Sequence, residues 1–221
     1  MALAGLRRAF GDKNELVALL DAEKEAAKSI RSNGRELGET SRHLTLWGRE
    51  EHADLTDCLD KAAIVLGKLA EFHNALADEH ARYRGLLHDI HAQDQAILGI
   101  RNRNRELQSK IKSSAKSGKN VEWLQKEEET VRRELLAAIA AQEGFKRRNI
   151  KDALHIQFDA WTTLGQKLMI LGTFGKYLAD QIPQGTLAPG QELPEYKGSA
   201  TTTRIFGDFL KALKALRTGI P

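Results

Sequence analysis

The stretch "LTDCLDKAAIVLGKLAEFHNALADEHARYRGLLHDIHAQDQAILGIRNRNRELQSKI", Leu55–Ile111, repeats an apolar or aromatic residue every seven positions. Leu55, Ala62, Leu69, Leu76, Tyr83, Ile90, Ile97 and Ile111 keep the period, and Asn104 is the one exception. A seven-residue period held this long is a seam between packed helices, because a strand alternates every two residues. One helix over these residues would be about 85 Å long. A companion stripe, Leu59, Leu66, His73, His80, Leu87, Asp94, Arg101 and Gln108, begins apolar and ends polar. The helix is therefore expected to pack on two stripes at its start and on one near its end.

Outward from this helix the outline follows from punctuation. Ser113–Asn120, with Gly118, reads as a turn. A third helix is predicted from Val121 to about Ile182, since the first proline of the chain is Pro183. Its earlier stripe is Val121, Leu124, Val131, Leu135, Ala138 and Phe145. Its later stripes are Ile150, Gln157, Leu164, Leu171, Leu178 and Leu154, Trp161, Leu168, Gly175, Ile182. The five-residue step from Phe145 to Ile150 is a phase slip that turns or bends the seam. A first helix begins near Asp12, is seamed by Leu16, Leu20, Ala27, Ile30, Leu37 and Leu44, is weakened at Asn33–Gly34 and Gly38, and ends near Trp47–Gly48. After a Pro/Gly loop, Ile205, Phe206, Phe209, Leu213 and Leu216 mark a short amphipathic helix.

The expected fold is all-α: an elongated, curved, three-helix antiparallel coiled coil with a short C-terminal helix. The expected divisions are an N-terminal segment 1–11, a helical domain 12–182, a loop 183–198 and a C-terminal helix and tail 199–221. Burying Leu55, Leu59, Leu66, Trp161 and Leu168 calls for a second copy, so a homodimer is expected.

The charge is unevenly spread. The net charge is +4, yet residues 98–151 hold 14 basic and 7 acidic residues and the remainder is net −3. With the third helix folded back on the second, Arg101, Arg103 and Arg105 come level with Arg132 and Arg133, and Arg82 and Arg84 with Arg147, Arg148 and Lys151. A solvated helix face accounts for such bands where acids pair with them, as Glu128–Arg132 and Glu129–Arg133 can. The basic bands coincide with the loss of the second apolar stripe, which points instead to a polyanionic partner, a phospholipid surface or nucleic acid. The segment "MALAGLRRAF" favours lipid: Leu3, Leu6 and Phe10 share a helical face beside Arg7 and Arg8, which suits folding at an anionic interface. Trp123 is the one ring near the basic region, so no stacking platform for single strands is present and nucleic acid is not expected.

No apolar run approaches the roughly 18–20 residues of a membrane span. The first ten residues lack the unbroken apolar core of a signal peptide. The single cysteine, Cys58, forms no intrachain disulfide; a cytoplasmic, reducing setting is expected. His88-x-x-His91-x-x-Asp94 is a conceivable metal face, but it lacks the Glu-x-x-His pairs of helical di-iron sites. His73 and His80 fall on a packing stripe and read as interior histidines. No phosphate loop or nucleophile motif occurs. Neither catalysis nor a cofactor or metal is expected. A coiled-coil scaffold without lipid binding is the strongest rival reading.

Two runs carry a resemblance. "HLTLWGREEHADLTDCLDKAAIVLGKLAEFHNALADEHARYRGLL" and "LHIQFDAWTTLGQKLMILGTFGKYLADQIPQGTLAPGQELPEY", with their ordered Trp-Gly, Tyr-Arg and Gln-Phe-Asp landmarks, resemble the fungal eisosome core components, a family of BAR-type proteins. The resemblance covers roughly Asp12 to the end of the last helix. It implies curved helical dimers that assemble into lattices on the cytoplasmic face of the plasma membrane and stabilise furrow-like invaginations. It also implies binding of phosphatidylinositol bisphosphate through basic residues on the concave side. Arg84 of "RYR" matches a basic residue of that surface, and Arg101, Arg103 and Arg105 fall in its next cluster. His88 and His91 stand where the family tends to carry Lys and Arg. That difference replaces fixed charges with titratable ones, so affinity for an anionic surface is expected to rise as the pH falls below neutrality.

Overall fold

The computed structural model describes residues 15–184, 190 and 194–218. The segment 1–11, with Leu3, Leu6, Arg7, Arg8 and Phe10, lies outside the described residues, as does part of the 183–198 loop. Four helices and no strand occur among the described residues: α1 Glu15–Gly48, α2 Ala53–Lys116, α3 Glu122–Ala179 and α4 Ser199–Thr218. This is the all-α arrangement that the heptad seam and the late prolines predict.

The helix ends follow from local chemistry. At the end of α2, Gly118 takes φ 67°, a left-handed conformation that glycine adopts without strain. The amide of Lys119 then donates to Ser114 O at 3.1 Å and that of Gly118 to Ala115 O at 3.1 Å. These two bonds satisfy carbonyls that the helix leaves open. Asn120 opens α3 by accepting from the Glu122 amide at 2.9 Å, which occupies one of the free donors of the first turn.

The helical segments form two compact units. In the first, residues 15–24 of α1 pack with 81–116 of α2 and 122–156 of α3. Tyr83, Leu87, Ile90 and Ala153 form one buried cluster, with Leu16, Leu20, Phe145 and Ile156 against it. Leu107, Leu124 and Val131 form another, with Ile100, Ile111 and Val121. The antiparallel register of α2 and α3 here is marked by polar ties. Asp94 accepts from the Gln142 amide and pairs with Lys146 at 2.7 Å, and Gln108 donates to Glu128 at 2.9 Å.

The second unit is formed by residues 25–80 of α1 and α2 with the described part of 157–218. Val65, Leu178 and Phe209 are its buried centre, and Phe174, Ile205, Phe206 and Leu213 pack around them. The amphipathic C-terminal helix thus lays Phe209 onto α2 and α3. Gly34 lies inside an unbroken α1, where that helix meets α2. A Cβ there would lie 3.2 Å from His73 Cβ and 3.3 Å from the Ala70 carbonyl oxygen. The residue is small because the backbones approach closely.

One detail of α3 differs from its predicted stripes. The five-residue slip to Ile150 is not the packed path, since Ile150 is 45% exposed and Leu154 43%. Of the later predicted stripes Gln157 and Leu178 are buried, Phe145 of the earlier one is half-buried, and Gln142 and Ala153, which lie outside those stripes, are buried with them. Gln142 and Ala153 are eleven residues apart, a step that an ordinary helix makes with little twist, so packing follows it in preference to the shorter slip.

Candidate functional site

The basic residues of the first unit border a buried seam. Along α2 that seam is Tyr83, Ile90, Ile97 and Asn104, each at most 9% exposed. A residue next to a seam position lies about 100° round the helix, half in and half out of the contact. Arg84, His91 and Arg105 each follow a seam residue and line one flank at multiples of seven. Arg82 and Arg103 each precede one and line the other. The expected band of Arg101, Arg103 and Arg105 therefore splits. Arg101 and Arg105, four residues apart, share a side, and Arg103 turns away toward α3, where it meets Glu127 at 3.1 Å.

Exposure differs along the flanks. Arg82, Arg103 and Arg105 are exposed on α2, as are Arg132, Arg133, Arg147, Arg148 and Lys151 on α3, while Arg84 and Arg101 are half-buried. Arg147 pairs within its own helix with Glu143 at 3.1 Å. The pairs expected between Glu128 or Glu129 and Arg132 or Arg133 are not formed: Glu128 accepts from Gln108 instead. Among the described residues the two arginines stay exposed and outside any ion pair. The α3 band is less neutralised than its sequence suggests.

The histidine-bearing flank has a further feature. His88 is exposed and His91 half-buried, with ring centroids 6.5 Å apart in an edge-to-face arrangement. Nε of Arg84 and Nδ1 of His91 are both buried without a hydrogen-bond partner. Buried polar atoms are ordinarily satisfied, so these two nitrogens one heptad apart set this flank off from its surroundings; the Arg84 Nε–H calls for an acceptor, and the role of His91 Nδ1 depends on its tautomer. Asp94, the third member of the conceivable metal face, is engaged by Gln142 and Lys146. Among the described residues no three of His, Cys, Asp and Glu gather closely enough to hold a metal ion.

In the second unit the residues assigned to a dimer seam are incompletely covered. Leu55, Leu59 and Leu66 are half-buried. On α3, Trp161 is 51% and Leu168 38% exposed, and Met169 and Phe158 are exposed with them. The Phe158 and Trp161 rings meet edge to face at 5.5 Å. His80, by contrast, is buried, as a histidine on a packing stripe should be.

Two groupings were not legible in the sequence. Asp57 of α2 accepts from Tyr196 at 2.7 Å, from the Thr202 hydroxyl and from Lys61, and so ties the chain before α4 to the start of α2. Burial would raise the Asp57 carboxyl, but the bonds from Lys61, Thr202 and Tyr196 outweigh it and hold it below the ordinary carboxylate value. Tyr196 is pushed well above its ordinary value, by burial first and then by its bond to Asp57. Burial likewise raises the neighbouring Cys58 thiol, which is 2% exposed and serves packing. The second grouping is a cavity edged by Lys68, Lys167 and Lys214. Residues this far apart in sequence carry no local signal of their meeting.

Among the described residues no helix is long and apolar enough to cross a membrane. The family model described as "Eisosome component PIL1" matches residues 12–218. The sphingolipid long chain base-responsive proteins PIL1 and LSP1 of Saccharomyces cerevisiae are 25% identical over 93% of the chain and 24% identical over 91% of it. A Schizosaccharomyces pombe protein named as a probable member of the same group, pil1, is 28% identical over 90%. The matches cover 58% to 62% of these relatives, so the chain spans about three-fifths of their length.

Proposed function

This chain belongs to the eisosome component PIL1 family, and we propose that it is a BAR-like scaffold that binds and curves the inner face of the plasma membrane. It does so as a homodimer that assembles further, with phosphatidylinositol bisphosphate as the favoured lipid. The observation that carries this reading is the pair of arginine-bearing flanks along the buried α2 seam, with Arg84 Nε and His91 Nδ1 buried and without partners. Near an anionic surface each basic side chain contributes attraction of about 1 kcal/mol. Arg82, Arg84, Arg101, Arg103, Arg105, Arg132, Arg133, Arg147, Arg148 and Lys151 supply that charge, alongside His88 and His91. Leu3, Leu6 and Phe10, beside Arg7 and Arg8, insert as an amphipathic segment at the interface.

The uncovered Trp161 and Leu168, with half-buried Leu55, Leu59 and Leu66, support the second copy, because apolar side chains gathered at a surface are ordinarily covered by a partner. The competing reading is a coiled-coil scaffold that touches no lipid, favoured by the Arg103–Glu127 and Arg147–Glu143 pairs. Co-sedimentation with phosphoinositide vesicles, beside a parallel arm with duplex DNA, separates them. The Arg101→Glu, Arg103→Glu, Arg105→Glu variant should lose vesicle binding with its helicity and oligomeric state unchanged. Wild-type protein that stays in the supernatant, or a variant that sediments as well as wild type, leaves the lipid-free scaffold standing. The Leu3→Ser, Leu6→Ser, Phe10→Ser variant tests the terminal segment: weaker binding and fewer tubules are expected, and no change in either would return it to an ordinary tail.

A further inference from the structure

In the second unit, α2, α3 and α4 each bring one lysine to the rim of the same cavity. Lys68 comes from α2, Lys167 from α3 and Lys214 from α4, around a space of about 350 Å³. That is the lower end of the size range of small-molecule sites. The apolar part of the lining includes buried Phe72 of α2 and Leu213 of α4. Glu71 is the single acid among the described lining residues, and it pairs with Lys68 at 2.6 Å. Lys167 places its ammonium 5.2 Å from the centre of the Phe72 ring, so its charge stands over the apolar wall. Three ammonium groups against one carboxylate leave the rim net positive. An apolar wall beneath like charges focuses their field on whatever enters.

A solvated lysine face needs no cavity, and an apolar packing defect needs no charged rim. From the two together we infer that the cavity binds an anionic amphiphile, with a phosphate or carboxylate head held by Lys167 and Lys214 and a short alkyl portion against Phe72 and Leu213. Charge-assisted bonds fix the head, and burial of methylenes against the wall adds affinity with chain length. The site lies in the second unit and uses none of the basic residues of the first, so it does not depend on the membrane-scaffold reading. Its ligand is either a free single-chain amphiphile or the same chemistry presented by a membrane lipid.

Isothermal titration of the full chain with alkyl phosphates below their micelle concentration tests it. Dodecyl phosphate should bind saturably at one per chain. Inorganic phosphate and dodecyltrimethylammonium should bind at least tenfold more weakly. Affinity should rise about three- to fourfold for each added methylene until the cavity is full, and then level off. The Lys167→Glu, Lys214→Glu variant should lose at least tenfold, and Lys167→Arg should retain binding; circular dichroism checks that both remain folded. The Arg101→Glu, Arg103→Glu, Arg105→Glu variant should bind dodecyl phosphate as wild type does. Equal affinity for the cationic amphiphile, or no loss in the double reversal, overturns the inference. Vesicles containing phosphatidic acid then separate the sources: if the double reversal also loses vesicle binding, the head comes from the membrane, and if it keeps it, the ligand is a free amphiphile.

Discussion

Asp57 shows how a single side chain links distant segments. Its carboxyl is held below the ordinary value of 3.8 in the folded chain. A group depressed in this way stabilises the fold above its unfolded pKa, and the contribution is lost as pH falls through the folded value. Tyr196 has the opposite shift, so its contribution is present below its ordinary value of 10 and is lost as pH rises through the raised one. The second unit should therefore hold steady between roughly pH 5 and 9 and weaken below about pH 4. Denaturation followed by the fluorescence of Trp47 and Trp161 reads this directly. Asp57→Asn should flatten the acid limb. Tyr196→Phe, which removes a bond to a charged acceptor, should cost about 1.5–3 kcal/mol at pH 7. A different outcome belongs to the Arg103–Glu127 pair, whose side chains are 58% and 38% exposed. Exposed pairs contribute at most about 1 kcal/mol, so Glu127→Gln should leave the melting temperature unchanged. It also frees Arg103, and binding to anionic vesicles should tighten.

Asn104 occupies a seam position that α2 otherwise fills with apolar residues, and its Oδ1 is buried without a partner. Removing an unsatisfied buried acceptor should gain about 1–2 kcal/mol, so Asn104→Leu is expected to raise the melting temperature. A polar seam residue specifies helix register at a cost in stability; the same variant should therefore exchange amide protons of α2 and α3 less uniformly. A lower melting temperature would show that water satisfies the amide. At the α1–α2 contact the constraint is steric. Gly34→Val sets a branched side chain against Ala70, His73 and Asn74, and overpacking of this kind should cost about 1–3 kcal/mol, measured by urea denaturation. Such a loss would identify the glycine as an element of fit between α1 and α2.

On the scale of the molecule, family membership and the proposed dimer meet at the apolar row of α3. Phe158, Trp161, Leu168 and Met169 are uncovered in a single chain. Light scattering at micromolar concentration should return twice the chain mass, and Trp161→Glu with Leu168→Glu should return the monomer with helicity retained. A wild-type monomer would remove the dimer and, with it, the curved scaffold proposed for this chain. The residues proposed to bind lipid on α2 and α3 and those proposed to form the dimer lie in different units, so the charge-reversed variant should still dimerise.

The helices were legible because periodicity, proline and glycine act locally: the seven-residue step, the absence of proline before Pro183 and Gly118 each reflect the backbone of their own neighbourhood, although α2 runs on to Lys116, past Ser113 where the turn was expected to begin. The arginines of the α2 flanks could be picked out for a related reason, since their distance from a seam position is a matter of counting. Which α3 positions are buried near residue 150 was a tertiary decision: Ala153 is buried against α2 while the larger Leu154 is exposed, and only packing settles that rotation. The fate of the acids was likewise tertiary, as Glu128 meets Gln108 across the hairpin instead of Arg132 along its own helix. The Asp57–Tyr196 tie and the three-lysine cavity join residues from separate helices. Their meeting depends on how the chain closes on itself, and short-range patterning holds no record of that.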